Sequence, residues 1–279
     1  MDFVMNVTGS WRRRSQNVIG RGYNEMLVEN TIWGERNKVQ IAIERLQQFE
    51  PPEGYYVAIS GGKDSTVVYD LVKKARVKAD FHYNVTYLDA PETVKYIKRH
   101  MPDVVFEYPP RTFWELVIIH RLPPIMTQRW CCRELKERGG EGRIVVTGVR
   151  WAESRKRKNR RMVEGCYKKH KHFLHPIIDW EDEDVWEYIR ANGLPYNPLY
   201  DRGHKRIGCR CCPFSSVQQR ERDLNEYPAL KKQFIRCFDK LVDKLKEEGK
   251  TIWQDGEDVL RWWIYGQKKI PEGQFSIFD

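Results

Sequence analysis

No apolar run of roughly 18 residues occurs in the sequence, and its first residues lack the apolar stretch of a secretory signal. Internal repeats and low-complexity tracts are also missing. These absences argue against a membrane protein, a secreted protein and a repeat protein. With 41% hydrophobic and 32% charged residues the composition is typical of a globular protein, and we expect it in the cytoplasm without a membrane partner.

The Gly-x-x-x-x-Gly-Lys-Ser/Thr spacing of a Walker loop is missing too, but residues 60–66 read Ser-Gly-Gly-Lys-Asp-Ser-Thr. They follow a β-branched and aromatic run and precede a helical apolar pattern, which predicts a strand, a glycine-rich turn and a helix N-terminus. Such a turn presents backbone N–H groups to an anion, and the helix dipole favours negative charge. Lys63 adds a positive charge, and Ser65 and Thr66 add hydroxyl donors. An ordinary tight turn is the alternative.

Strands and helices alternate on both sides of this loop. Their order predicts an α/β fold with a doubly wound parallel sheet, an N-terminal helix and a C-terminal helical extension. The strands are predicted at 55–59, 81–88, 104–108 and 143–148, and the main helices at 31–49, 65–74, 112–120, 128–138, 179–189, 227–250 and 255–265. The basic stretch 150–172 is predicted to be a loop.

Three regions are expected: an N-terminal arm and helix (1–45), a nucleotide-binding domain (46–215) and a helical extension (216–279). Ligands of doubly wound sheets lie beyond the C-terminal ends of the strands. This rule brings residues 60–65, Asp89 and residues 148–150 around one crevice. At Asp89 a Mg²⁺ or ribose contact and a helix cap are equally good interpretations.

The net charge of +10 is concentrated in one segment. Residues 150–172 contain ten Lys or Arg and two Glu, a local balance of +8 (10 − 2). A basic segment favours a polyanionic partner such as nucleic acid, although solvated loop charge is the simpler account.

Cysteine spacing indicates a metal site. Adjacent Cys131 and Cys132 precede Cys209 and Cys212, and these two frame a Cys-x-x-Cys turn. Thiolates so arranged suit zinc or a [4Fe–4S] cluster equally well. Buried structural thiols are the alternative for the five clustered cysteines, and Cys166 and Cys237 are expected to fill core positions. Disulfides are not expected, because cytosolic thiols are kept reduced.

Several stretches resemble the phosphoadenosine phosphosulfate (PAPS) reductase family of the ATP pyrophosphatase superfamily. They are the phosphate loop at 60–65 and segments 130–136, 148–155, 175–180, 184–186, 194–201 and 206–213. The resemblance implies an adenine nucleotide alpha hydrolase-like fold and a bound adenine nucleotide (ATP, adenylyl sulfate or PAPS), with Mg²⁺.

By the same resemblance, each candidate residue receives a role. The nucleotide is expected at Ser60, Gly61, Gly62, Lys63, Asp64, Ser65, Thr66, Asp89, Gly148, Arg150 and Arg155. Catalytic roles are expected for Lys63, Asp64, Arg150 and Cys211, and the [4Fe–4S] ligands are expected to be Cys131, Cys132, Cys209 and Cys212. Cys211 is an extra thiol of the motif that could carry sulfur, exchange with a ligand or simply fill a core position.

Reductases of this family use a nucleophilic cysteine near the C-terminus, and here no cysteine follows Cys237. Our leading hypothesis is therefore ATP-dependent sulfur transfer to tRNA or DNA, with a sulfur donor protein such as a cysteine desulfurase as partner. Reduction of adenylyl sulfate or PAPS to sulfite is the second hypothesis. A non-catalytic module that binds nucleotide and nucleic acid is the third. An oligomer is compatible with all three.

Overall fold

The computed structural model describes residues 3–5, 11–13, 27–31, 34–166 and 171–266, with side chains throughout except at 3–5, 11–13, 30–31 and 166. The strands are β1 (Phe3–Met5), β2 (Trp11–Arg13), β3 (Val28–Thr31), β4 (Gly34–Asn37), β5 (Tyr55–Ala58), β6 (Ala79–Asn84), β7 (Val104–Glu107), β8 (Ile144–Val146), β9 (Val163–Cys166) and β10 (Lys171–Leu174). The α-helices are α1 (Lys38–Gln48), α2 (Lys63–Ala75), α3 (Pro91–His100), α4 (Phe113–His120), α5 (Asp182–Ala191), α6 (Val217–Glu226), α7 (Pro228–Glu247) and α8 (Gly256–Tyr265).

Six strands form the main sheet in the order β7-β6-β5-β8-β10-β9. All neighbouring pairs are parallel except β10 with β9 at the edge. The predicted α/β fold with a parallel sheet is thus confirmed. Strand β5 lies near the middle of the sheet and is almost wholly buried, because its sequence Tyr-Tyr-Val-Ala is apolar on both faces. The phosphate loop therefore starts from a rigid central strand.

The prediction of a loop throughout 150–172 was wrong at its C-terminal end. Strands β9 and β10 form an antiparallel hairpin there, and β10 extends the parallel sheet beside β8. The sequences Val-Glu-Gly-Cys and Lys-His-Phe-Leu carry few apolar residues, so their strand character depends on the pairing of β9 with β10 and of β10 with β8. Residues 167–170 lie outside the described residues.

The helix expected from residue 31 begins only at Lys38. Residues 34–37 pair with β3 instead, and the Asn37 side chain accepts the N–H of Gln40 at 2.9 Å and so caps α1. Strands β1, β2 and β3 also lie within the region predicted as an N-terminal arm and helix. The cysteine-bearing helix predicted at 128–138 is shorter as well, a π-helical turn at Cys132–Lys136.

Two large apolar clusters stabilise the molecule. One surrounds the sheet, and the other packs α7 and α8 against α4 and the cysteine-bearing segments. Trp263 of α8 is buried among Phe234 and Phe238, and its indole N–H donates to the Pro124 carbonyl at 2.7 Å. Trp253 is also buried, so these two tryptophans of the helical extension are part of the hydrophobic core. None of the helices in the described ranges is long and apolar enough to cross a membrane.

Candidate functional site

The phosphate loop requires glycine at position 61. Gly61 has a φ of +72°, and a Cβ placed there would lie 2.6 Å from Cγ2 of Thr93. Gly62 is the residue before α2 and offers no side-chain cap, so the N-terminus of α2 faces the space beyond β5. A Cβ at Gly148 would lie 2.9 Å from the backbone carbonyl carbon of Asp64. The loop after β8 therefore packs directly on the first turn of α2.

A cavity of about 610 Å³ opens at this edge of the sheet. The predicted nucleotide residues that line it are Ser60, Gly62, Lys63, Asp64, Ser65, Asp89, Gly148 and Arg150. Gly61, Thr66 and Arg155 do not line it. The crevice rule for parallel sheets thus brings together three segments that are far apart in the sequence.

Two hydroxyl groups of the loop form hydrogen bonds within the loop itself. Ser65 Oγ and Thr66 Oγ1 both donate to the Gly62 carbonyl, at 2.9 and 3.1 Å. Thr66 also bonds the Tyr96 hydroxyl at 2.9 Å and is buried. Of the two predicted hydroxyl donors, only Ser65 borders the cavity. Thr66 lies outside the cavity and stabilises the turn through its bond to the Gly62 carbonyl.

Arg150 is the best-buried charge of the site, with 1% of its surface exposed. Its Nε donates to Asp64 at 2.6 Å, its Nη2 to Asp182 at 2.7 Å and its Nη1 to the Trp180 carbonyl at 3.2 Å. Burial lowers the pKa of Arg150, but the two carboxylates outweigh it and the net shift is upward. The guanidinium is therefore a permanent positive charge at the cavity wall.

Lys63 joins the same network. Its ammonium lies 2.9 Å from Asp182 and 3.4 Å from Asp64, and the residue is buried. Burial raises the pKa of Asp182, but hydrogen bonds from Lys63 and Arg150 more than offset it and lower it overall. Two cations and two carboxylates thus share one corner of the cavity.

The sequence reasoning missed Asp182 and Tyr200. Asp182 is the first residue of α5, and the N–H of Lys63 donates to the Tyr200 hydroxyl at 2.9 Å. Tyr200 lay within a segment that carried the family resemblance, but nothing in that segment indicated a contact with the loop. Lys136, Lys205 and Arg206 add further positive charge to the cavity wall.

Asp89 lines the cavity and also holds its own turn. Its Oδ2 accepts the N–H of Thr86 at 2.7 Å, whereas α3 begins after Ala90 without a side-chain cap, so the interpretation of Asp89 as a helix cap was wrong. Next to this turn, the Cys209 thiol donates to Thr86 Oγ1 at 3.4 Å. The Asp89 turn therefore lies between the cavity and the cysteine group.

The four predicted cluster ligands form no disulfide, and the Cys131 thiol interacts electrostatically with the other three. Hydrogen bonding to Cys132 and burial raise the pKa of Cys131, and the charges of Cys209 and Cys212 add to this rise. The hydrogen bond from Cys131 lowers the pKa of Cys132 to about 5, with help from Arg129, whose Nη2 lies 3.6 Å from its sulfur. A second cavity, of about 540 Å³, opens on Cys132.

Among the described residues, no set of three or more His, Cys, Asp or Glu side chains is placed to hold a metal ion. The donor set itself is four soft thiols on two segments. Zinc and iron–sulfur clusters both take such donors, so the donor set fits either group.

The remaining cysteines with described side chains lie in the core. Cys211 is fully buried, and its thiol points to the carbonyl of Arg220 at 3.7 Å rather than into the cavity. Burial raises the pKa of Cys211 and raises that of Cys237 to about 12. Both thiols are therefore protonated at neutral pH.

The sequence of this chain matches the phosphoadenosine phosphosulfate reductase domain over residues 54–215. It is 29% and 31% identical to two uncharacterized proteins of Methanocaldococcus jannaschii, over 85% and 77% of this chain but 47% and 52% of theirs. The chain thus spans about half the length of these curated relatives. An adenosine 5'-phosphosulfate reductase of Lysinibacillus sphaericus is 27% identical over 56% of this chain and 71% of its own.

A crystal structure of PAPS reductase from Candida auris in a phosphate complex is similar over 60% of this chain and 87% of that one, with 21% identity and a TM-score of 0.49. The domain match covers more than half of the chain and includes the phosphate loop, Arg150 and all four predicted cluster ligands. The chain therefore belongs to the phosphoadenosine phosphosulfate reductase family.

Proposed function

We propose that this chain binds ATP by its phosphates and transfers sulfur to a nucleic acid. The observation that carries the proposal is the cavity itself. The N-terminus of α2, Lys63 and Arg150 converge on it, while no cysteine lines it among the described side chains. Groups that stabilise phosphate, without a thiol beside them, favour chemistry at phosphorus over attack by a cysteine on sulfur.

The reaction proceeds in two steps. An oxygen of the nucleic acid attacks the α-phosphorus of ATP, the bond to the bridging oxygen breaks, and pyrophosphate leaves. A hydrosulfide ion then attacks the activated carbon, AMP leaves with the electron pair of the carbon–oxygen bond, and a proton is released. A donor protein such as a cysteine desulfurase, together with a thiol reductant, supplies the hydrosulfide.

The roles of the side chains follow from their charges. Lys63, Arg150 and the N–H groups of α2 neutralise the leaving pyrophosphate. Asp64 orients Arg150 through the bond at 2.6 Å. Mg²⁺ is usually held by the nucleotide phosphates and one or two carboxylates, and Asp64 and Asp89 are the carboxylates we assign to it.

We assign Cys131, Cys132, Cys209 and Cys212 as ligands of a [4Fe–4S] cluster. When bound, the cluster supplies soft iron atoms that bind sulfur and exchange electrons. The second cavity supports this assignment because it gives a small sulfur donor access to Cys132. Cys211, whose thiol is buried, remains a predicted catalytic residue on which the proposal does not depend.

Nucleic acid is proposed to bind at the basic stretch beside the cavity. Residues 154–157 border the cavity in part, through Ser154 and Arg157. Arg155, Lys156 and Lys158 are exposed and form no ion pair in the described part of the chain. A row of unpaired cations at the mouth of the nucleotide cavity supports binding of a phosphate backbone.

Calorimetric titration of anaerobically purified, cluster-loaded protein tests the nucleotide. We expect ATP to bind at least about 10-fold more tightly than adenylyl sulfate or PAPS, and Lys63→Ala to weaken ATP binding by about 10-fold or more, since an ammonium beside a phosphate is lost. Lys95→Ala, at an exposed lysine of α3, is the matched control and should change nothing.

Tighter binding of adenylyl sulfate or PAPS would contradict the proposal. It would support the second candidate, reduction to sulfite, which the names of the reductase relatives favour. ATP binding without pyrophosphate release, in the presence of hydrosulfide and tRNA or DNA, would instead support the non-catalytic module.

The nucleic-acid partner is tested by the double variant Lys156→Glu/Lys158→Glu. We expect its affinity for tRNA or single-stranded DNA to fall by about 10-fold or more, and its salt slope to decrease, because two phosphate contacts become repulsive. Lys231→Glu/Lys232→Glu, on an exposed face of α7, makes the same charge change elsewhere. If both double variants lost the same affinity for nucleic acid, the loss would come from the change in net charge. That result would contradict the assignment of the basic stretch as the binding surface.

A further inference from the structure

The N-terminus of α2 is capped by a residue that lies far away in the sequence. Gly62 cannot cap it with a side chain, and the first N–H groups of a helix have no partners within the helix. The N–H of Lys63 donates to the hydroxyl of Tyr200, which lies 137 residues further along the chain, at 2.9 Å. The Tyr200 ring is held edge-on against Trp186, with centroids 5.1 Å apart. A phenol oxygen thus occupies a place where helix N-termini usually receive anions.

A second acceptor of the chain stands beside it. Asp182 Oδ1 lies 2.9 Å from the Lys63 ammonium and 2.7 Å from Nη2 of Arg150, although 56% of the side chain is exposed. Lys63 and Arg150 therefore both already bind a carboxylate oxygen. That anion belongs to the protein and borders the cavity.

We infer that the Tyr200 hydroxyl and the Asp182 carboxylate are internal substitutes for ligand oxygens, and that a phosphate ligand binds by displacing both. The inference rests on the phosphate site of the proposed function but not on the choice between ATP and a sulfated nucleotide. A charge-assisted bond from phosphate to an N–H is about twice as strong as a neutral one, so an anion outcompetes the phenol oxygen of Tyr200.

The two positions specify the class of ligand. One acceptor lies at the helix N-terminus, and the other lies between Lys63 and Arg150. A ligand with two linked tetrahedral oxyanion groups, such as a diphosphate, has one oxyanion group for each position, whereas a single phosphate has one group for both. Tyr200 and Asp182 thereby act as specificity-determining residues that disfavour single oxyanions.

Calorimetric titration with pyrophosphate and with inorganic phosphate tests this inference on the full chain. We expect wild type to bind pyrophosphate at least about 10-fold more tightly than phosphate. Tyr200→Phe keeps the ring but removes the competing oxygen, so pyrophosphate should bind about 3- to 10-fold more tightly. Asp182→Asn should also tighten binding, and by more than Glu183→Gln, which removes one charge from the adjacent exposed residue.

The opposite outcomes overturn it. Weaker or unchanged pyrophosphate binding by Tyr200→Phe would mean that the hydroxyl does not compete with the ligand. If Asp182→Asn and Glu183→Gln changed pyrophosphate affinity equally, Asp182 would act only through its net charge and not by occupying the ligand's place. If neither wild type nor variants bind pyrophosphate or ATP, the phosphate site fails and the inference falls with it. If pyrophosphate behaves as expected but adenylyl sulfate outcompetes ATP, the inference stands and the proposed reaction falls.

Discussion

The variant Asp223→Ala is expected to be about 3 to 5 kcal/mol less stable than the wild type. Asp223 is 1% exposed and accepts three hydrogen bonds: from Arg210 at 3.1 Å, from Gln219 at 3.0 Å and from the N–H of Cys211 at 2.7 Å. Truncation leaves the buried guanidinium of Arg210 without its counter-charge. Equilibrium unfolding in urea, with and without the cluster, measures the loss.

The same change should loosen the cysteine turn. Cys211 has a φ of +55°, a conformation that a non-glycine residue adopts only when its surroundings impose it, and Asp223 holds its N–H. Glu221→Ala, which removes a partly exposed carboxylate of the same helix, is the control and should cost less than about 1 kcal/mol. Equal losses in the two variants would show that the buried pair with Arg210 is not what stabilises this region.

The iron content should depend on Cys132 and not on Cys211. Purified without oxygen, the wild type is expected to hold about four iron and four sulfide ions per chain. Cys132→Ser should hold less than about half of that, because a hydroxyl is a poor ligand for iron in a cluster. Metal analysis, acid-labile sulfide and the visible absorption band measure the loss.

Cys211→Ala is the matched control within the same motif. Its thiol is buried and directed at the Arg220 carbonyl, so its removal should leave the iron content near that of wild type. Loss of iron from both variants would make Cys211 a ligand. One zinc per chain in place of iron would contradict the cluster and favour a single-ion site.

Features that depend on neighbouring residues could be predicted from the sequence. The run of apolar residues before two glycines predicted a buried strand and a helix N-terminus, and β5 and α2 are there. The start of α4 was also predicted closely, and Thr112 and Glu115 form a capping box there. The start of α1 could not be predicted, because β4 exists only by pairing with β3.

By itself, then, the sequence determined the parallel α/β architecture, the phosphate loop and the spacing of the cysteines, because each depends on the order of residues along a short stretch. Tertiary structure alone decided which distant groups complete the site. Asp182 and Tyr200 lie 119 and 137 residues beyond Lys63 (182 − 63 and 200 − 63), and their contacts arise from how α5 and the segment after it pack against α2. Burial likewise turned Cys211 away from the cavity, since α6 supplies Asp223 to its backbone. Local pattern carries no information on such packing, because it is decided by which apolar faces meet when the whole chain folds.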